Sequence, residues 1–286
     1  MQRVLVTGAS GQLGKCILAL AARYPQLSLH GSDREEMPLD QPEKMQSFLQ
    51  TFKPDAIINC AAYTAVDKAE EAGEQEKLYQ VNVAAVRALA VYARDNNCKL
   101  IHISTDYVFD GNGTSPYREG DRVSPVNAYG VSKLKGEQYL LSENPDAVIV
   151  RTSWVYAREG RNFLNTMLRL MKEKDKISVV DDQYGTPTSA MDLAQVILGM
   201  LAAEKWHPGI YHYSNAGKTT WFGFATEILR LSGLDCRIEP ITTQQFPTPA
   251  KRPAYSVLDK TKISRVFGLM IPDWKDSLEK VLGDGY

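Results

Sequence analysis

In the stretch Asn127-Ala128-Tyr129-Gly130-Val131-Ser132-Lys133, a phenol and an amine stand four residues apart. That spacing puts both side chains on one face of a helix. A phenol with its ordinary pKa near 10 is a poor acid at neutral pH. A neighbouring ammonium favours the phenolate, and a general acid works best when its pKa approaches the working pH. The pair therefore has the makings of a proton donor. Only Tyr129 among the 14 tyrosines is followed by a lysine at this distance. Roughly one such pair is expected by accident at average lysine usage, so the surrounding sequence must decide.

Near the start, the apolar run Val4-Leu5-Val6-Thr7 reads as a buried strand, and a helix is expected over 15–23. Between them lies Gly8-Ala9-Ser10-Gly11-Gln12-Leu13-Gly14, a G-x-x-G-x-x-G turn. Glycines there permit a tight turn and close approach to a pyrophosphate, which the helix N-terminus then faces. A second strand, Leu27 to Gly31, leads to Asp33 and Arg34. An acid at this distance suits the adenosine ribose of NAD, whereas an arginine suits the 2′-phosphate of NADP. The two residues pull in opposite directions, so NADH and NADPH both stand.

The same rhythm continues: helix 42–52 and strand 55–59, helix 76–96 and strand 99–104, helix 128–141 and strand 147–151. Such alternation predicts an α/β fold with a parallel sheet covered on both faces. Ligands in these folds sit outside the carboxyl ends of the strands. Those ends are the glycine turn, Cys60 to Tyr63, Ser104 to Tyr107 and Thr152 to Trp154. Thr105 thus falls beside Tyr129 and Lys133. For ketone reduction, Tyr129 would protonate the oxygen while a nicotinamide delivers hydride, and Thr105 would hydrogen-bond the same oxygen. Lys133 would hold the cofactor ribose and lower the tyrosine pKa.

Beyond Trp154 the alternation breaks down. Helices are expected over 162–172, 188–203 and 222–232, with a proline-rich extended loop at 247–253. Residues 1–153 are accordingly expected to form a dinucleotide-binding domain, to which some later segments return. Residues 154–286 are expected to form mainly a smaller substrate-binding domain. Arg252 is a candidate for a substrate phosphate, since its planar fork can bind two oxygens.

With 286 residues, 44% hydrophobic, 23% charged and a formal net charge of −1, the composition is that of a globular enzyme. No basic stripe suits nucleic acid. Cys16, Cys60, Cys98 and Cys236 show no ligand or disulfide spacing. His102, inside an apolar strand, reads as a satisfied core residue. No apolar run approaches the roughly 20 residues that span a bilayer, and Val4 follows the start too closely for a leader peptide. A cytoplasmic protein without a membrane partner is expected.

Thr105, Tyr129 and Lys133 behind the glycine turn resemble the extended short-chain dehydrogenase/reductase superfamily. Within it, the chain is similar to the dTDP-4-dehydrorhamnose reductases through residues 59–70, 104–111, 151–156 and 182–188, and Arg252-Pro253-x-x-Ser256. The resemblance runs along essentially the whole chain. It implies a Rossmann-type doubly wound sheet with a smaller C-terminal substrate domain. It also implies NAD(P)H-dependent reduction of dTDP-4-dehydro-β-L-rhamnose to dTDP-β-L-rhamnose. Gly8, Gly11, Gln12, Leu13 and Gly14 would line the pyrophosphate, Asp33 the ribose, and Leu39 and Asp40 the adenine. Ala61, Ala62 and Tyr63 would pass close to the cofactor, and Thr105, Asp106 and Trp154 would contact the nucleotide-sugar. Some members dimerise through magnesium held partly by an acid directly after the last glycine. Lys15 occupies that position, so a magnesium-bridged dimer is not expected and no residue is assigned to a metal, while Mg2+ as a cofactor stays open, as do monomer and homodimer. Another nucleotide-sugar reductase or epimerase and a non-catalytic cofactor-binding regulator are the rival readings. The intact Thr105, Tyr129 and Lys133 argue against the second.

Overall fold

Val4, Leu5 and Val6 are wholly buried, as expected of a strand covered on both faces. They lie in β1 (Gln2–Thr7), which is followed by α1 (Gln12–Ala19), β2 (Leu27–Ser32), α2 (Pro42–Phe52) and β3 (Ala56–Asn59). The computed structural model describes residues 1–283. After β3, α3 (Gln75–Tyr79) passes through a π-helical turn, Gln80–Ala84, into α4 (Ala85–Asp95). Next come β4 (Lys99–Thr105), α5 (Ala128–Glu143) and β5 (Val148–Thr152).

A later strand, Gly209–His212, joins the sheet at its far edge, giving the order Gly209–His212, β5, β4, β3, β1, β2, all parallel. Strand side chains alternate between faces, and the core divides accordingly. Val4, Val6, Ile58, Ile101 and Val150 pack on one face with Ile17 of α1 and with Leu193 and Ile197 of the helix Ala190–Ala202. Leu5, Ile57, Leu100 and Ile149 pack on the other with α2, α4 and Leu140 of α5. The doubly wound parallel sheet is therefore present. Because β2 and β3 flank β1 on opposite sides, the winding reverses there and opens a crevice at the carboxyl ends of β1 and β3.

A separate apolar cluster joins Tyr156, Leu164, Phe224, Trp274 and Leu278. Its helices Phe163–Glu173, Trp221–Ser232 and Trp274–Leu282 pack near a two-stranded parallel pair, Lys176–Val180 with Arg237–Ile241. That pair was not anticipated from the sequence, because five residues of modest alternation look like loop without a partner in view.

Two expected helices also differ. The first begins at Gln12, not Lys15, so the last glycine of the turn is already helical. The helix expected over 76–96 is interrupted by the π turn, which carries Asn82 inward. The Asn82 side chain accepts from the Tyr63 amide at 2.8 Å and donates to the Tyr63 carbonyl at 3.1 Å and the Ser132 hydroxyl at 3.0 Å. One extra residue in the turn thereby ties the segment after β3 to α5, a frequent use of π-bulges near functional sites.

Candidate active site

At the carboxyl ends of β1, β3, β4 and β5 lies a cleft of about 890 Å³. The glycine turn forms one wall. Gly8 has φ +66, and a Cβ there would meet the Ala61 backbone at 2.9 Å. A Cβ on Gly14 would drive into the Gly8 carbonyl. Both positions need glycine. Gly11 caps α1 without a side-chain hydrogen bond, so the first amides of the helix are left for an acidic ligand. This open cradle fits the pyrophosphate of a dinucleotide. Asp33, Leu39 and Asp40 line the same cleft further out, as do Ala61 and Ala62. Asp33 Oδ1 accepts from the amides of Glu35 and Glu36 at 2.9 and 3.2 Å, which fixes its carboxylate at the rim.

Thr105, Asp106, Tyr129, Lys133 and Trp154 line the inner part. Asn127 starts α5 by accepting from the Gly130 amide at 2.8 Å, a strong N-cap. The cap sets the helix phase, so Tyr129 and Lys133 reach the cleft one turn apart. The Thr105 hydroxyl lies beside the Tyr129 phenol. Thr105 donates onward to Asp106 Oδ1 at 3.0 Å and accepts from the Tyr107 amide at 3.2 Å. A chain of three polar groups thus runs from phenol to carboxyl.

Burial dominates the electrostatics here. It pushes the Tyr129 phenol well above its ordinary value; the Thr105 hydrogen bond opposes this, and the Asp106 carboxylate adds to it. The expected lowering of the phenol by Lys133 is therefore corrected: in the protein alone, desolvation wins. Asp106, 2% exposed, is raised to about 7 by burial, against the pull of the Ser256 and Thr105 hydrogen bonds. Lys133, 1% exposed, is lowered to about 8 by burial, against Glu137 and Cys60. Its amino group does not hang free. Nζ donates to the Ile103 carbonyl at 2.7 Å and lies 3.1 Å from His102 Nε2.

Trp154 holds φ +48, a left-handed conformation rare for a bulky residue. Its ring stacks on Trp221 with centroids 3.5 Å apart and planes at 10°. Thr188 donates to its carbonyl at 3.1 Å, and Gly185 leaves room for the indole. The sequence did not single out Trp221; an aromatic residue just past the helix-capping Thr220 was the one available sign. Two expected residues lie outside the lining. The Tyr63 hydroxyl donates to Glu74 at 2.9 Å, and Arg252 Nη2 donates to Asp67 at 2.7 Å. Lys15 pairs with Glu159 at 3.0 Å. Among the described residues, no group of three or more His, Cys, Asp or Glu side chains is placed to hold a metal ion. No helix among them is long and apolar enough to cross a membrane.

Comparison with known proteins agrees with this geometry. Residues 1–286 match the family described as the RmlD substrate binding domain. The dTDP-4-dehydrorhamnose reductase of Aggregatibacter actinomycetemcomitans is 41% identical, covering 98% of this chain and 98% of that protein. The chain belongs to the dTDP-4-dehydrorhamnose reductase family. The crystal structure of a family member from Bacillus anthracis in complex with NADP superposes with a TM-score of 0.93 at 37% identity, covering 99% of each chain. A further similar protein, 40% identical over 90% of this chain and 88% of its own length, is the dTDP-4-keto-6-deoxy-D-glucose reductase of Streptomyces niveus.

Proposed function

We propose that this family member reduces the 4-keto group of dTDP-4-dehydro-β-L-rhamnose to give dTDP-β-L-rhamnose, with Tyr129 as proton donor. The observation that carries the reading is the convergence of Tyr129, Thr105 and Lys133 on one cleft with the glycine turn. When bound, NADPH or NADH supplies a hydride and leaves a positive ring that favours phenolate. Gly8, Gly11, Gln12, Leu13 and Gly14 hold the pyrophosphate; Asp33, Leu39 and Asp40 receive the adenosine end. Ala61 and Ala62 form the floor beside them, and Tyr63 follows in the chain with its hydroxyl turned to Glu74. The raised phenol pKa keeps Tyr129 protonated at neutral pH, so the acid is loaded before reaction. Thr105 and Tyr129 hydroxyls both bind the keto oxygen, and the tyrosine proton passes to it as alkoxide charge develops. Asp106 and Trp154 orient the sugar ring. The first 153 residues carry the dinucleotide and the remainder mainly the nucleotide-sugar, with Arg252 the cation for its diphosphate once released from Asp67.

Mixing the protein with dTDP-4-dehydrorhamnose and either reduced dinucleotide is expected to bleach the nicotinamide band and yield the rhamnose donor. No bleaching with either would overturn the proposal. The likeness to the Streptomyces niveus protein supports a second substrate, dTDP-4-keto-6-deoxy-D-glucose. Faster turnover of that keto-sugar would replace the first assignment.

A further inference from the structure

Behind the cleft runs a chain of buried polar side chains that the proposed reaction does not use. His102 is wholly buried, and Asn59 and Thr7 are each 1% exposed. His102 Nε2 faces Lys133 Nζ at 3.1 Å, and its Nδ1 faces Asn59 Nδ2 at 3.0 Å. Asn59 Oδ1 accepts from the Thr7 hydroxyl at 2.6 Å, and Thr7 Oγ1 accepts from the Ala61 amide at 3.2 Å. Thr7 is the last residue of β1, directly before Gly8, and both Thr7 and Ala61 line the cleft.

The hydrogens in this chain are not independent. Asn59 Nδ2 can only donate, so His102 Nδ1 must accept, and a neutral ring then carries its hydrogen on Nε2. That hydrogen points at Lys133. An ammonium has no lone pair to receive it; a neutral amine does. The orientation is therefore that of an uncharged Lys133. A charged Lys133 requires the reverse. Its third hydrogen goes to an accepting Nε2, the ring proton moves to Nδ1, and the Asn59 amide makes a half-turn to present Oδ1. Thr7 Oγ1 then accepts from Asn59 as well as Ala61, and its own hydrogen turns toward the cleft. The constraint falls on the ammonium: charged Lys133 tolerates only the accepting Nε2, whereas the neutral amine can accept from Nε2–H. An ammonium set against Nε2–H leaves two buried donors facing each other, which is costly.

We propose that Thr7, Asn59 and His102 form a buried uncharged relay whose two hydrogen-bond orientations set the charge of Lys133. Asn59 and His102 are then positioning residues for the Tyr129–Lys133 pair, and this rests on the catalytic reading above. His102 is suited to the task because burial, and next the Lys133 charge, push its pKa well below the ordinary value, so it switches tautomer without charging. Glu137 on the same helix and Cys60 after β3 also act on Lys133, and Tyr129 lines the same cleft one turn away. Glu137 is in turn held by Arg151 of β5 at 2.7 Å. Glu137, though paired, still favours the charged amine, and the relay adds its bias to that.

Long-range ¹⁵N–¹H spectra of the histidine rings, recorded from about pH 6 to about pH 10, test this without turnover. His102 is expected to stay neutral and to change from the Nδ1–H to the Nε2–H tautomer around pH 8, and the change is expected to vanish in Lys133→Met. One tautomer throughout, or the same change in Lys133→Met, overturns the relay. In Asn59→Asp, an acceptor replaces the donor and favours charged Lys133. Its alkaline limb of kcat is expected to move up by about one pH unit, while NADPH affinity changes less than about threefold; an unmoved limb overturns the relay. The tautomer result fails or holds apart from the catalytic reading, which a Tyr129→Phe variant of undiminished rate would overturn.

Discussion

At the scale of single residues, the site is governed by desolvation. Asp106 shows it most clearly, a carboxyl raised from 3.8 to about 7 inside the cleft. A group whose folded pKa lies above its unfolded one binds its proton more readily in the folded protein, so stability falls as pH rises between those values. For Asp106 that window runs from about 4 to about 7. Asp106→Asn removes the titration. Relative to the variant, the parent is expected to lose about 2 to 3 kcal/mol of stability between pH 5 and pH 8. Denaturant unfolding at both pH values measures this, and a difference independent of pH would mean that Asp106 titrates normally. The variant's turnover should nevertheless fall, since Thr105 then has a neutral amide in place of a carboxyl beside it, and an amide oxygen is a weaker acceptor than a carboxylate. Thr105, Tyr129 and Lys133 were legible in the sequence because a helical repeat and a strand end place them. The direction of the Tyr129 shift was not, because it depends on how much fold closes over the phenol.

At the scale of elements, short capping and packing contacts aim the side chains. Asn127 sets the phase of α5, the π turn at Gln80–Ala84 carries Asn82 to the segment after β3, and the helix Trp221–Ser232 brings Trp221 under Trp154. Trp221 is anchored in its turn, donating to Gln183 Oε1 at 3.2 Å and packing on Phe163 at 4.6 Å. Trp221→Ala removes the support of a residue held at φ +48. Substrate KM is expected to rise roughly tenfold, about the size of a lost aromatic pair with its burial, while the Kd for NADPH stays put. Equal weakening of both ligands would show that Trp221 merely holds the fold. Helix and strand alternation was readable because apolar periodicity is local. The π turn and the Trp154–Trp221 stack were hidden, since both are settled by partners distant in sequence.

At the scale of the whole molecule, one crevice lies between a doubly wound sheet and a second apolar cluster, and a loop ties the two sides together. Lys251 accepts from Asn127 at 2.9 Å, and Ala250 and Arg252 donate to Asp67 at 3.2 and 2.7 Å. At the loop's other end, Gln183 donates to Thr243 at 3.0 Å. The sheet was foreseeable from alternation alone; this strap was not, because a proline-rich loop carries no periodicity. A ligand that binds only the folded form stabilises it, by about 3 kcal/mol at a hundredfold excess over its Kd. NADPH is thus expected to raise the calorimetric melting temperature by several degrees. In Gly14→Ala, where the new methyl meets the Gly8 carbonyl, that rise should disappear. An unchanged rise would place the dinucleotide elsewhere.

The most direct measurement is single-turnover reduction of dTDP-4-dehydrorhamnose by Tyr129→Phe beside the parent protein, with NADPH affinity measured on both. Loss of a general acid predicts a rate lower by about 10²–10⁴-fold with affinity nearly unchanged. A variant that kept most of its rate would contradict the assignment of Tyr129 as the proton donor.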